Sequence, residues 1–296
     1  MTEPQVMQWL LDTRPLWPRA TTTSLLAQEA SRALSLLSPE EQTSIQKYLF
    51  VKDAKMALAS ALLKRYAITS SCEDLPWSYA TYSRDQHTKP IFRLSDSSEP
   101  LLFNVSHQAG LVCLLGVSRP PEGVSIGVDI ACPSERRDRD HAFVAEEKDG
   151  WSGFVGMHES VFSEGEAKRL RGLGTGPAPL DLDVRLAYFY ALWCLREAYV
   201  KMTGEALLAG WLGELDMRNF APPGDAVTEG EEGPLEIWFR GVRVEDVRVR
   251  MQWYEDEFLI CTAVGGDEQG VLDVGDEWTL LDIDEVLDAA ERANAR

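Results

Sequence analysis

The stretch 184–203 constrains this chain most. Leu186, Ala187, Phe189, Tyr190, Leu192, Leu195, Ala198 and Val200 make it apolar almost all round, the pattern of a helix enclosed on every side. Gly204 supplies its stop. Yet Trp193, Glu197 and Lys201 fall at i, i+4 and i+8, on one stripe of that helix. On a surface, Glu197 and Lys201 would be an ordinary pair worth roughly a few tenths of a kcal/mol. On a buried helix the Glu197 carboxylate needs a compensating cation, either Lys201 or a metal ion.

Around that helix the chain reads as two lobes. Residues 5–12 form a first strand, ended by Arg14-Pro15. Ser38-Pro39-Glu40-Glu41 combines an N-cap, a first-turn proline and a capping-box glutamate. The helix it opens buries Ile45, Leu49, Met56 and Leu63 and turns Lys47, Lys52, Lys55 and Lys64 outward. Residues 101–105 and 111–117 read as a strand pair, 119–123 as a breaker and 125–130 as the next strand. The lobe boundary therefore falls between residues 1–124 and 125–296. In the second lobe, 132–160 reads as an inserted loop, Ser163…Glu166 as a second capping box, and 221–234 as another loop. Residues 236–250 and 252–264 read as antiparallel strands turning near 255–257. An acidic tail, 265–296, is irregular before a short helix from about 280. Helices and antiparallel strands in two lobes predict an α+β fold rather than a doubly wound sheet.

Charge narrows the functional classes. With 48 acidic and 29 basic residues the net charge is −19, which argues against nucleic acid and against an anionic membrane as partner. Residues 43–93 run the other way, with eight basic and four acidic residues, as expected of a site for one discrete anion. No apolar run is long enough for a membrane span, and the first residues lack the pattern of a secretory signal. The cysteines at 72, 113, 132, 194 and 261 are scattered without metal-site spacing. Reduced thiols and a cytoplasmic location are the expectation.

Ser106-His107 invites a nucleophile–base reading, but adjacent strand residues point to opposite faces and no G-x-S-x-G elbow is present. His107 is instead a donor, to a core carbonyl or to an anion. Asp129 is a lone carboxylate in the apolar strand Ile126-Gly127-Val128-Asp129-Ile130, either a cap or a metal ligand. Asp129 and Glu197 together suit Mg²⁺, which keeps water and phosphate oxygens in its shell. The glycines at 172, 174 and 176 follow a helix, not a strand, and so do not form a phosphate cradle. His87, His141 and His158 are isolated in polar segments.

Four fragments occur in order: Phe103-Asn104-Val105-Ser106-His107, Gly127-Val128-Asp129-Ile130, Phe162-Ser163…Glu166, and Trp193-x-x-Arg196-Glu197-Ala198-x-x-Lys201. Together they resemble the 4′-phosphopantetheinyl transferases of the larger, pseudo-dimeric class. The likeness runs from about Trp9-x-x-Asp12-x-Arg14-Pro15 to the strands near Val264. Gln108 after His107, and Lys201-Met202-Thr203-Gly204-Glu205-Ala206-Leu207, are similar to the broad-specificity fungal branch. The resemblance implies two similar α+β lobes related by a pseudo-two-fold axis, each with antiparallel strands on a long helix, so that a monomer suffices. It implies Mg²⁺-dependent transfer of phosphopantetheine from coenzyme A to a serine of an apo carrier domain. Carriers of fatty-acid, polyketide and peptide synthases or of aminoadipate reductase are the expected partners. Asp129 and Glu197 match the metal ligands, with Glu197 also the base, and Lys201 matches a phosphate contact. Ser106, His107, Lys55 and Lys89 match contacts to the phosphates and adenine of coenzyme A. Arg196 stands where the motif carries lysine, and a coenzyme A contact is expected of it too. A further ligand of the bacterial pattern is replaced by Ala131, leaving water or Gln108 to complete the shell. Ala57 stands where relatives often carry serine or threonine. These departures also motivate the alternative of a non-catalytic relative that binds coenzyme A or a carrier.

Overall fold

The computed structural model describes residues 3–72, 74–85, 89–175, 179–205, 209–224 and 233–295. The chain runs β1 (Gln5–Asp12), α1 (Thr23–Glu29), α2 (Ser31–Ser35), α3 (Pro39–Gln46), α4 (Val51–Ser71), β2 (Ser83–Arg84), β3 (Pro90–Ile91), β4 (Leu101–Gln108) and β5 (Leu111–Ser118). It continues through β6 (Ser125–Ala131), α5 (Pro133–Glu146), α6 (Gly150–Gly156), α7 (Glu164–Gly172) and α8 (Leu182–Thr203). It ends with β7 (Leu215–Arg218), β8 (Glu236–Phe239), β9 (Val242–Arg243), β10 (Val247–Tyr254), β11 (Phe258–Gly265), β12 (Thr279–Leu280) and α9 (Ile283–Asn294).

The fold is α+β. The N-terminal sheet has the order β12-β1-β5-β4, antiparallel except for the β12–β1 edge. The second main sheet is β10-β11-β6, antiparallel throughout. Strand periodicity builds three layers of core between and outside these sheets. Leu115, Val117, Ile126, Ile130 and Ile260 fill the space between them. Leu101, Phe103, Val112 and Leu114 face α4, whose Ala59, Leu63 and Ala67 complete that layer. Ala131, Leu259, Cys261 and Ala263 face α8. Each sheet is thus covered by one long helix.

Both capping boxes form. Ser38 and Glu41 satisfy each other's backbone N–H groups at α3, and Ser163 and Glu166 do the same at α7. Gly204 ends α8 in the left-handed region at φ 83°. The β10–β11 hairpin turns at residues 255–257, with φ 53° and 52° at Glu255 and Asp256.

Four expectations are corrected. The helix opening at Ser38 is two helices, because the chain breaks at 47–50, where Tyr48, Leu49 and Phe50 are exposed. Residues 132–160 are helical rather than a loop: α5 starts with Pro133 in its first turn, and Trp151, Phe154 and Val155 of α6 are buried. The expected strand 236–250 is two short strands, β8 and β9, parted at left-handed Arg240 and Gly241, and then the first half of β10, which runs on to Tyr254. The tail does not belong to the second lobe. β12 pairs with β1, and Val286, Leu287, Ala290 and Ala293 of α9 are buried with Leu26, Leu34 and Leu62 of the N-terminal lobe. Residues 225–232 of the expected loop, His87, Gly176 and residues 206–208 lie outside the described residues.

Two contacts hold α8. Gly127 of β6 lies against its backbone: a Cβ at that position would overlap the Ala198 carbonyl oxygen and lie 2.5 Å from Met202 N. Further up, Arg196 is buried with Glu166, donating from Nη1 to both carboxylate oxygens at 2.8 and 2.6 Å and to Leu215 O at 2.9 Å. Nη2 donates to Leu212 O at 2.5 Å. Gly127→Ala is therefore expected to cost on the order of 3 kcal/mol, and a melting temperature equal to that of the parent would refute the close approach. Arg196→Met strands the Glu166 charge and should lower the urea-derived stability by about 3–5 kcal/mol. Adding Glu166→Leu should recover part of that loss; a double variant no better than the single one would mean that the charge is not what Arg196 stabilises.

Candidate active site

Gly127, Asp129 and Ala131 share the face of β6 that meets α8. Asp129 is thus delivered, 5% exposed, to the helix that carries Glu197 and Lys201. Lys201 Nζ donates to Asp129 Oδ1 at 2.6 Å and to Ser106 Oγ at 2.9 Å. Ser106 in turn donates to the same Asp129 oxygen at 2.7 Å. The hydroxyl proton of Ser106 is committed to a carboxylate, so this serine is a positioning group and not a nucleophile.

Ser106 reaches Asp129 because β4 and β6 lie side by side without a backbone ladder. Alternate residues of β4 bridge them instead. Asn104 Oδ1 accepts from Val128 N at 3.1 Å, and Gln108 Oε1 accepts from Cys132 N at 3.2 Å. The polar spacing 104, 106, 108 along one face of β4 is the sequence signal for this seam.

Of the two cations open to Glu197, Lys201 is engaged elsewhere. Lys201 bonds Asp129, and Glu197 makes no hydrogen bond or ion pair among the described residues. Burial, then the neighbouring Asp129 charge, pushes its carboxyl up to about 7, against the opposing pull of Lys201. Lys201 is held above its ordinary value: burial opposes the charge, but Asp129 and Glu197 together overcome it.

The remaining expected residues divide. His107 projects from the other face of β4, its imidazole lowered by desolvation and by the Lys201 and Lys64 charges. Lys89 reaches across the lobes to 3.5 Å from Ile126 O, its ammonium lowered by burial. Lys55 donates to Leu16 O at 2.6 Å and is also lowered by burial. Arg196, expected to contact coenzyme A, is enclosed with Glu166 and reaches no open surface. Gln108, expected to contact coenzyme A or to complete the metal shell, accepts from Cys132 N–H on its carbonyl oxygen. Lys64, read as an outward lysine, instead lies over the Tyr82 ring at 4.4 Å. Burial first, then Arg84, lowers it to about 8.

Asp129 and Glu197 are hard oxygen donors, with one ammonium between two carboxylates, an arrangement that a small divalent cation would relieve. Among the described residues no third His, Cys, Asp or Glu joins them. Such an ion would draw its other ligands from water and from a bound phosphate. No helix of the described residues is long and apolar enough to cross a membrane.

Comparison with known proteins adds independent findings. Residues 25–119 match the family model for the N-terminal part of 4′-phosphopantetheinyl transferases, and residues 125–249 match that of the 4′-phosphopantetheinyl transferase superfamily. The chain is 51% identical over 294 residues to 4′-phosphopantetheinyl transferase 1 of Fusarium mangiferae, covering 99% of this chain and 98% of the relative. It is 34% identical to a 4′-phosphopantetheinyl transferase of Aureobasidium melanogenum, covering 87% and 90% of the two chains. It is 31% identical to the L-aminoadipate-semialdehyde dehydrogenase-phosphopantetheinyl transferase of Schizosaccharomyces pombe, over 69% and 70%. With buried Asp129, the unpaired Glu197 and Lys201 gathered where β6 meets α8, and with this likeness over nearly its whole length, the chain belongs to the 4′-phosphopantetheinyl transferase family.

Proposed function

We propose that Asp129, Glu197 and Lys201 form the centre at which this protein moves the 4′-phosphopantetheine arm of coenzyme A onto a serine of an apo carrier domain. The serine oxygen attacks the phosphorus that bears the pantetheine. The bond to the neighbouring phosphate breaks, and adenosine 3′,5′-bisphosphate leaves. Glu197 carries the reading: it is a largely buried carboxylate without a partner, raised to about 7, which matches the value best suited to a general base near neutral pH. Lys201 supplies positive charge beside the bond that breaks. Ser106 fixes one Asp129 oxygen through a 2.7 Å hydrogen bond and leaves the other for a ligand.

Mg²⁺, when held by Asp129 and Glu197, would neutralise charge developing on the phosphate oxygens. Glu197 would help to hold that ion, and its carboxylate is the group proposed to take the serine proton. Lys89 and His107 lie on the N-terminal side of the seam, where they suit the nucleotide end of coenzyme A. Carriers of fatty-acid, polyketide and peptide synthases and of aminoadipate reductase are the proposed partners. The Schizosaccharomyces pombe relative's name supports the last of these. A monomer acting in the cytoplasm accords with this reading. The retained Asp129, Glu197 and Lys201 favour catalysis over a binding-only role.

Apo carrier incubated with coenzyme A and Mg²⁺ should gain the mass of one phosphopantetheine. Glu197→Gln should slow that gain by about 10²–10⁴-fold, and Asp129→Ala should abolish it. Full activity of either folded variant would refute the centre. A second expectation concerns pH. The unfolded chain loses the Glu197 proton near its ordinary value of 4.5, and the folded one near 7. Between these the folded state binds more protons, so the Glu197 contribution to stability falls as pH rises. Urea titrations of metal-free protein at pH 5.5 and 7.5 should show this fall, and Glu197→Gln should reduce it. An unchanged slope in the variant would place the titrating group elsewhere. Mg²⁺ should bind more weakly at pH 6 than at pH 8 and displace a proton at the lower pH, which calorimetry in two buffers would read.

A further inference from the structure

β4 and β6 are the facing edges of the two main sheets, and no backbone hydrogen bond joins them among the described residues. A buried strand edge without a ladder leaves N–H groups that must find other acceptors. Two of those on the β6 side find them on side chains of the other lobe. Val128 N donates to Asn104 Oδ1 at 3.1 Å, and Cys132 N donates to Gln108 Oε1 at 3.2 Å. Val128 and Cys132 are fully buried, so bulk water cannot stand in for either acceptor.

The spacing of the two bonds matters as much as their chemistry. Residues 104 and 108 bracket the second half of β4, and residues 128 and 132 bracket the end of β6 by the same number of steps. Each span is about 13 Å of extended chain, so the strands run in the same direction at one fixed offset. A single hydrogen bond would act as a pivot, whereas two at this separation set both offset and angle. Ser106 lies midway between the amides on the same face of β4, and its Oγ meets Asp129 Oδ1 at 2.7 Å. A slip of one residue would oppose Ser106 with Val128 or Ile130, whose side chains accept no hydrogen bond.

Resting on the transferase reading, we propose that Asn104 and Gln108 are positioning residues for the transfer. Their two amide carbonyls lock β4 on β6 and thereby hold the groups of the two lobes together at Asp129. Ser106 comes from the N-terminal lobe and Lys201 from α8 of the second, and Lys201 Nζ donates to Ser106 Oγ at 2.9 Å as well as to Asp129. This three-way contact exists only in the register that the amides set. Satisfying two N–H groups needs only acceptors; locking the lobes needs those acceptors on the facing strand at matched spacing, as they are here.

The test uses the full chain in the carrier assay. Gln108 is half-buried, so Gln108→Met keeps the length of the side chain and removes its acceptor without entering the core. It should lower kcat about ten- to a hundredfold and leave the KM for coenzyme A within about twofold of the parent. Gln108→Glu, which restores an acceptor oxygen, should recover most of that loss. Asn104→Ala should also lower kcat, and combined with Gln108→Met should lower it further than either alone. A lower melting temperature with kcat unchanged would make the amides supports of stability alone and overturn the proposal. A raised KM with kcat unchanged would make Gln108 a substrate contact and overturn it too, as would a Gln108→Glu variant as slow as Gln108→Met. A parent protein that modifies no carrier would instead overturn the transferase reading.

Discussion

The absence of a side chain at Gly127 decides where α8 can lie. A Cβ there would overlap the Ala198 carbonyl, so only glycine lets the helix settle on β6 at this depth. Ala198 follows Glu197 and Met202 follows Lys201. The contact that seats the helix therefore brings both charged groups to Asp129, two residues along the same strand face. Distance along the sequence is large, yet the geometry has little freedom, because backbone rests on backbone.

That seating creates an electrostatic imbalance. Two carboxylates face one ammonium, and Lys201 spends its strongest hydrogen bond on Asp129. Glu197 is left without a partner among the described residues, and burial beside Asp129 raises its carboxyl to about 7. Reshaping the strand seam would disturb this balance, because Ser106 and Lys201 bond the same Asp129 oxygen and hold it in register with β4.

Where sequence reading succeeded, the relevant physics was local. The limits of α8, both capping boxes, β4, β5 and β6, and the 255–257 hairpin all follow from periodicity, caps and turn residues within a few positions of each other. Where it failed, the deciding partner lay far away. Nothing in 283–294 announces that its apolar face packs beside Leu26 and Leu62 rather than on the adjoining lobe. The charged sequence of α5 hides a helix because only Asp140 of it is buried. Lys64 looks outward on a helical wheel until Tyr82, from a separate segment, covers it. The identities of Asp129 and Glu197 were legible as chemistry; which of them would bond Lys201 was not, since that depends on side-chain reach across a tertiary contact.

The same helix carries a second carboxylate-bonded cation, and the contrast between the two explains which one is chemical. Arg196 places a guanidinium nitrogen against both Glu166 oxygens and spends its remaining reach on two backbone carbonyls, while Glu166 also accepts from Ser163 N and Met217 N. Every Glu166 acceptor there faces a protein donor, so the pair ties α7, α8 and β7 together, with Arg196 Nε buried and without a partner among the described residues. At the next residue Glu197 keeps both oxygens open, and Asp129, facing it from β6, keeps one, among the described residues. A buried carboxylate that the fold leaves without a partner is costly unless something outside the chain completes it, and on α8 Glu197 is such a carboxylate among the described residues. The Arg196 position is therefore a structural substitution in the motif, with the plane of the guanidinium suited to a closed hydrogen-bonded site, whereas Glu197 is where the helix meets its substrate.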